Sequence, residues 1–446
     1  MAAFDPIADI PRNCQNPAMA EKPREAFQMG GKISYWVSGL PVALRNASVR
    51  HPDALGELRR AYAALYWSSD PTVRQMRWKA ILMFVPVLLQ DIKTFTSRNG
   101  RRTKQRYGRS IIGQCTDQLR VYFKHGILPR WYYIFSLYEP GGLARARYFL
   151  NRFETKPALF LLLNRGAASQ LDDKVAFAAH CVAHGIAHVP ILAAASDGRV
   201  DGDSSALPRD DLFIKPIQAR GGAGAERWTW VADEDGYRGP GGETLSGDDL
   251  LARLKKESVE TPRLVQPRAT NHPDIADLSN GALTTLRVLS CLDEQRRPEI
   301  IGAVFRMAVG KNHTVDNFHA GGIAASVDLA TGVLGRASNL GHKVKKGWLS
   351  RHPDTGGQIE GRTLPLWEQV KTLVEQAHLA FDQIVIGWDI AILAEGASLV
   401  EGNSGPDVDI MQRLIKRGLG QGRFVDHLVY HLRNRQQDGL AGGPQS

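Results

Sequence analysis

The strongest constraint in this chain lies near its C-terminal end. Ile384 to Leu393 and Ser398 to Glu401 read as a final strand pair. A hairpin centred near Glu395 sets Asp389 opposite Glu401, because each lies six residues from that centre. Asn403 stands two residues beyond Glu401, and residues two apart on a strand share a face. Three oxygen donors then meet on one side of the pair. That set suits Mg²⁺ shared with phosphate oxygens, since this hard cation takes few protein ligands and completes its shell elsewhere. The competing reading is a polar edge hairpin.

A second element lies upstream. Leu212-Phe213-Ile214-Lys215 reads as a strand, and Gly221-Gly222-Ala223-Gly224 follows it. Phosphates need positive charge and close backbone donors. A strand lysine supplies a point charge, and glycines let a loop approach without side-chain clash. The tract lacks GxxxxGK[ST], so it is not a P-loop, and alone it reads equally as a turn. Lys174 sits near the start of an expected amphipathic helix, Leu171 to Ala183, which Gly185 ends. On its own Lys174 is a solvated surface lysine. Short strands are expected within Ile186 to Ala194, at Trp228 to Val231 and at Leu264 to Gln266. Further strands are expected at Leu286 to Cys291, Ile300 to Met307 and Gly322 to Asp328. A helix is expected over Leu366 to Phe381 and a loose tail after Gln436.

The first 165 residues read differently. Leu55 to Trp67 and Thr72 to Phe95 are expected helices, and Pro86 should kink or interrupt the second. The polar, basic stretch Asn99 to Arg109 reads as a loop. The apolar run Ala80 to Leu89 is about half a membrane span, and a buried helix segment accounts for it best. Contact with a membrane surface is the alternative. The formal charge is +10, and residues 91–150 hold 12 Lys/Arg against 3 Asp/Glu, a balance of +9. An anionic substrate or lipid surface and a merely solvated face both explain this. Nucleic acid is disfavoured, because no recognition pattern accompanies the charge. Cys14, Cys115, Cys181 and Cys291 form no CxxC pair, and reduced thiols are the plain reading. No signal peptide is apparent, so a cytoplasmic protein is expected, with a peripheral place at the inner face of the membrane as the alternative.

Together the motifs Asp173-Lys174, Phe213-Ile214-Lys215-Pro216, Gly221 to Gly224, Gly387-Trp388-Asp389 and Glu401-Gly402-Asn403 resemble, in order, the ATP-grasp superfamily, most closely its sugar-transfer-associated group. The resemblance implies an α/β (α+β) ATP-grasp fold, with a small lid over residues 166–268 and a larger mixed-sheet unit over 269–436. A mainly helical region, 1–165, precedes them. It implies ATP and Mg²⁺ as cofactors. Lys174 and Lys215 then resemble phosphate contacts, with Gly221, Gly222 and Gly224 in a loop closing over them. Gln266 resembles the hinge residue beside adenine. Asp389, Glu401 and Asn403 resemble the metal ligands. The family's chemistry implies a carboxylate attacking the γ-phosphate of ATP, followed by an amine attacking the acyl phosphate. Partners would be small or sugar-linked carboxylates and amines. After Asn403 the chain reads Ser404-Gly405-Pro406-Asp407, a departure from the Thr-x-Pro-Gly ending of several amino-acid ligases, which leaves the acceptor open. Arg287 and Arg306, in neighbouring expected strands, are candidate clamps for a carboxylate or a transferring phosphoryl group. Thr284 and Thr285 add hydroxyls nearby. The polar stretch Lys311 to His319, with His313, Asp316 and Asn317, is a candidate wall of the acceptor site, and no third ligand makes His313 and His319 a zinc site. A kinase reaction on a hydroxyl and a non-catalytic nucleotide-binding assembly protein remain the alternatives.

Overall fold

The computed structural model describes residues 33–48, 53–164, 168–217, 224–310, 321–341 and 347–441. The described chain opens on helices α1 (Ile33–Ser48), α2 (Ala54–Tyr66), α3 (Pro71–Tyr107) and α4 (Ile111–His125). Asp53 caps α2 by accepting from the Gly56 N–H at 2.9 Å. Asp70 caps α3 through Thr72 and Val73, and Gly108 ends it in the left-handed region at φ 70°.

Three expectations for this region are corrected. Pro86 does not interrupt α3, which runs unbroken through it for 37 residues. Asn99 to Arg109 is not a loop, because α3 continues to Tyr107. The reason is a buried polar layer facing α4. Asn99, Gly100 and Thr103 are buried, Gln114 Nε2 donates to Gly100 O at 3.1 Å, and Gln118 Nε2 donates to Thr96 Oγ1 at 2.9 Å. Polar residues with satisfied partners continue a helix as well as apolar ones do. The run Ala80 to Leu89 is not a buried segment either: Ala80 and Leu88 are buried, whereas Leu82, Val85 and Leu89 stand in solvent.

Two sheets follow. The first holds β1 (Ala193–Ser196), β2 (Arg199–Asp201), β3 (Leu212–Pro216), β4 (Glu226–Val231), β5 (Gly236–Arg238), β6 (Thr244–Leu245) and β7 (Arg263–Pro267). Their spatial order is β2-β1-β7-β3-β4-β5-β6. Leu250 and Leu254 of the helix Gly247–Glu257 pack on Ile214, Trp228 and Val265, giving this sheet its own small core. The strand expected within Ile186 to Ala194 thus forms later, at Ala193–Ser196. The expected helix Leu171 to Ala183 is broken at Asp173, whose carboxylate caps Lys174–Ala183 through the Val175 and Ala176 N–H groups.

The second sheet holds β8 (Thr285–Leu292), β9 (Pro298–Met307), β10 (Ile323–Val327), β11 (Leu334–Ser338), β12 (Val385–Leu393) and β13 (Gly396–Asn403). Its order is β11-β10-β9-β8-β12-β13, with antiparallel neighbours, and His188 adds a parallel bridge to Leu399. Strand alternation divides the residues between two cores. Leu286, Val288, Phe305, Trp388 and Ile390 meet the helix Trp367–Ala380 on one face. Leu289, Cys291, Val304 and Val385 point the other way, into a core shared with Trp36, Tyr62, Trp131 and Leu428. The first helices, the sheet and the helix Arg423–Ala441 therefore bury one another, and that last helix runs past Gln436, where a tail was expected.

Candidate active site

β12 and β13 are joined by a two-residue turn, since Leu393 pairs with Gly396 and leaves Ala394 and Glu395 between them. Continued regularly, that register would set Asp389 against Val400. It does not continue: Ile390 pairs with Leu399, Asp389 pairs with Glu401, and Val400 is the extra residue of a β-bulge. The bulge brings Glu401 level with Asp389. The pair expected from the sequence is present, although the turn is centred half a residue before Glu395. Asn403 pairs with Gly387, and its Nδ2 donates to Gly387 O at 3.4 Å.

On the other side of β12, Arg287 of β8 pairs with Asp389. Its Nη2 donates to Asp389 Oδ2 at 2.9 Å, and its Nε donates to Oδ1. Arg306 of β9 reaches the same Oδ2 at 3.1 Å, and Thr285 Oγ1 accepts from Arg306 Nε at 2.9 Å. Burial alone would raise the Asp389 carboxyl, but Arg287 and Arg306 outweigh it and hold the group below the usual carboxylate range. Among these contacts Oδ2 takes two donors and Oδ1 takes one, so Oδ1 keeps an acceptor direction.

The lysines approach from elsewhere in the fold. Lys174 opens its capped helix and donates to Ile217 O at 2.8 Å, just beyond β3. Lys215 is half-buried on β3. Burial pulls its ammonium down to about 8; Glu401 and Asp389 resist that fall and Lys174 adds to it. Lys215 of the small sheet and Lys174, whose helix packs on the large-sheet core through Phe177 and Cys181, thus share one electrostatic neighbourhood with Asp389 and Glu401 of the large sheet.

Beside them is an open cleft of ≈ 530 Å³. Phe213 and Lys215 share a face of β3, with Arg227 and Gln266 paired against Phe213 on either side. This row forms one wall, and Val189, Leu283 and Val400 close the cleft with apolar surface. Gln266 Nε2 donates to Val189 O at 3.0 Å, which ties β7 to the segment before β1. Gly224 has φ 73°, a conformation that favours glycine. Gly221 and Gly222 lie outside the described residues, as do Lys311 to His319 with His313, Asp316 and Asn317.

Several site residues were not singled out from the sequence. Phe213 was legible in principle, two residues before Lys215 on the same strand. Val400 was not, because only a bulge turns it to the cleft. Asp407 pairs with Arg152 at 3.1 Å, and its charge also reaches Arg287. Asn164 Nδ2 donates to Val385 O and Ser404 O, each at 2.7 Å, while its Oδ1 accepts from Ile384 and Val385. No spacing rule links residues so far apart in the chain.

Among the described residues no group of three or more His, Cys, Asp or Glu stands ready for a metal ion. The donors are two carboxylates, Asp389 and Glu401, with the Asn403 amide. This set fits Mg²⁺ better than a cation needing a full protein cage, because Mg²⁺ is held by one or two carboxylates together with phosphate oxygens. Asp389 Oδ1 is the atom left free for such a bond.

The family described as sugar-transfer associated ATP-grasp matches residues 159–423, more than half of the chain. The chain belongs to this family. The matched stretch holds both lysines, the glycine tract, the arginine pair and the acid hairpin, and it leaves out α1 to α4. No curated protein matches. Among solved structures, the ATP-grasp ligase PsnB, complexed with a phosphomimetic variant of minimal precursor, Mg and ADP, is 16% identical with a TM-score of 0.34, over 60% of this chain and 62% of that one. D-alanyl-alanine synthetase A from Vibrio cholerae is 14% identical with a TM-score of 0.35, over 60% and 66%. D-alanine–D-alanine ligase from Bacillus anthracis is 13% identical with a TM-score of 0.35, over 62% and 72%. This chain spans less than two thirds of the first two. The overlaps are too loose to bear on substrate or mechanism.

Proposed function

We propose that the protein is an ATP-dependent carboxylate–amine ligase. The observation that carries this is the meeting of Lys174 and Lys215 with Asp389, Glu401 and the Arg287–Arg306 pair, beside an apolar-walled cleft. Phe213, Val189, Leu283 and Val400 suit the faces of a purine ring, and Gln266 lies at its edge. Lys215 and Lys174 offset the charge of the phosphates. Asp389, Glu401 and Asn403 would hold Mg²⁺, which would draw charge from the transferring phosphoryl group. Arg306, and Arg287 through whatever donors it keeps beside Asp389, orient the carboxylate. Its oxygen attacks the γ-phosphorus, the bond to the β-phosphate oxygen breaks, and ADP leaves. The amine nitrogen then attacks the acyl carbon, the bond to phosphate breaks, and the amine loses a proton. Most of the rate comes from positioning and fixed charge.

Three units make up the chain in our reading: residues 166–268 as the lid, 269–436 as the base, and 1–165 as a mainly helical, basic region before them. The matched family's description points to a sugar conjugate or polysaccharide precursor as the modified molecule. The test is incubation with Mg-ATP and panels of carboxylates and amines, with hydroxylamine as a trap. ADP and phosphate release matched by hydroxamate or amide formation supports the ligase. A phosphorylated hydroxyl with no amide overturns it in favour of a kinase.

A further inference from the structure

The first half of α3 leaves one face uncovered. Trp78, Leu82, Val85 and Leu89 follow at helical spacing and form a single stripe. They are 60%, 77%, 48% and 60% exposed. The opposite side of the same helix is core, with Val73, Ala80 and Leu88 buried. Thr96, about five turns from Trp78, lies on the stripe's face and is covered by α4 through Gln118. α4 has only 15 residues against the 37 of α3, so it covers the latter part of that face and leaves the stripe bare. α4 carries a stripe of its own, Ile112, Leu119 and Phe123, all exposed.

The charge on this hairpin is almost entirely of one sign. Residues 71–125 contain 12 Lys/Arg against Asp91 and Asp117, a balance of +10, equal to the formal charge of the whole chain. Asp117 is moreover engaged by Arg109. Arg74, Lys79 and Lys93 are exposed on α3, and Arg120 and Lys124 on α4. Arg101, Arg102, Lys104 and Arg106 add a dense exposed cluster.

We propose that the α3–α4 hairpin seats the protein on the surface of an anionic bilayer. The apolar stripes enter the interfacial layer and the cations meet the headgroups. Both features are required together, since an amphipathic surface helix binds through buried apolar area plus attraction to anionic lipid. α3 is long and apolar enough to be a candidate membrane span, but its other side is fixed in the core with α1, so it lies on the membrane instead. A second copy of the chain is a poor occupant, because stripe-to-stripe pairing would bring two strongly positive faces together. A soluble polyanion would satisfy the cations and leave Trp78, Leu82 and Leu89 in water.

The test is co-sedimentation of the full chain with vesicles of phosphatidylcholine alone and of phosphatidylcholine with phosphatidylglycerol, across a salt series. Two variants accompany it, the pair Leu82→Gln and Leu89→Gln, and the set Arg101, Arg102, Lys104 and Arg106→Gln. All changed side chains are exposed, and melting curves and nucleotide affinity check that the fold is kept. We expect binding to the anionic vesicles and at least about tenfold weaker binding to the neutral ones. Each variant should lose about tenfold or more, given about 1 kcal/mol per surface cation. Only the charge variant should flatten the salt dependence. Equal binding to both vesicle types, no binding to either, or unchanged binding by both variants overturns the proposal. So does a dimer that the Leu82→Gln, Leu89→Gln pair dissolves. None of these outcomes depends on the ligase reading, which is tested by product formation.

Discussion

Asp389 neutralises two guanidiniums, Arg287 and Arg306, and in the proposed site the same carboxylate would also offer an oxygen to the metal. Asp389→Asn therefore removes a charge that the fold itself uses. It should lower stability by about 3 kcal/mol, because breaking a buried pair strands the charges left behind. Glu401→Gln should reduce turnover with little change in melting temperature. A single thermal-shift series with a turnover assay separates the two, and equal melting temperatures for wild type and Asp389→Asn would contradict this account. The Asp389 carboxyl is held below its usual range, so its contribution is present above the unfolded value of about 4 and is lost as pH falls through the lower folded value. Lys215 has the opposite dependence. Its folded value of about 8 lies below that of a free lysine, so the buried charge costs stability at neutral pH, and the cost is relieved as pH rises from about 8. Phosphate binding needs the charged form. ATP affinity should fall as pH rises through about 8 in the wild type. In Lys215→Met it should be lower by about tenfold or more and lack that step, as titration calorimetry across pH would show.

At the scale of elements, the strands around the site were legible because alternation and flanking turns mark them. β3, β7, β8, β9, β12 and β13 all form within a few residues of their expected bounds. The helices were less legible where polarity was taken for exposure. Asn99, Gly100 and Thr103 look like loop residues, yet they are buried. Nothing local in the sequence reveals that Gln114 and Gln118, which bond Gly100 O and Thr96 Oγ1, come after the next turn. The same blindness made Ala80 to Leu89 look like core, since hydropathy counts apolar residues without saying which face has a neighbour. In the site, the acid pair could be read from the expected turn, although a bulge at Val400 is what sets Glu401 opposite Asp389, and the strand lysine could be read from the apolar run before it. Arg152, Asn164 and Asp407 could not, because they meet the site only through tertiary packing. The polar layer gives a direct test. Gln114 donates to Gly100 O and Arg109 O and accepts from Tyr133 Oη at 2.8 Å. Gln114→Ala should cost about 2 kcal/mol, since it leaves buried polar partners unpaired. Denaturant melts would register it, and a change under about 0.5 kcal/mol would show that the layer does not hold the hairpin.

At the scale of the whole molecule, the helices before residue 165 and the large sheet are halves of one core. Trp36, Tyr62 and Trp131 stand on one side of that core, with Leu289, Val304 and Val385 on the other. A chain starting at residue 166 should expose that sheet face and aggregate when expressed alone, which light scattering of the purified fragment would reveal. A soluble, ATP-binding fragment would refute the dependence. Asn164 fastens the same two halves by four hydrogen bonds, three at the start of β12 to Ile384 N, Val385 N and Val385 O, and one to Ser404 O just after β13. The small sheet is built differently, because Ile214, Trp228 and Leu250 form a core that shares nothing with the other two. The large sheet and its helical buttress are therefore one block, and the small sheet stands apart with a core of its own. If that block rests on a membrane through α3 and α4, the hairpin of Asp389 and Glu401 sits at a fixed height above the lipid, because the sheet that carries it and the helices that touch the bilayer are one core.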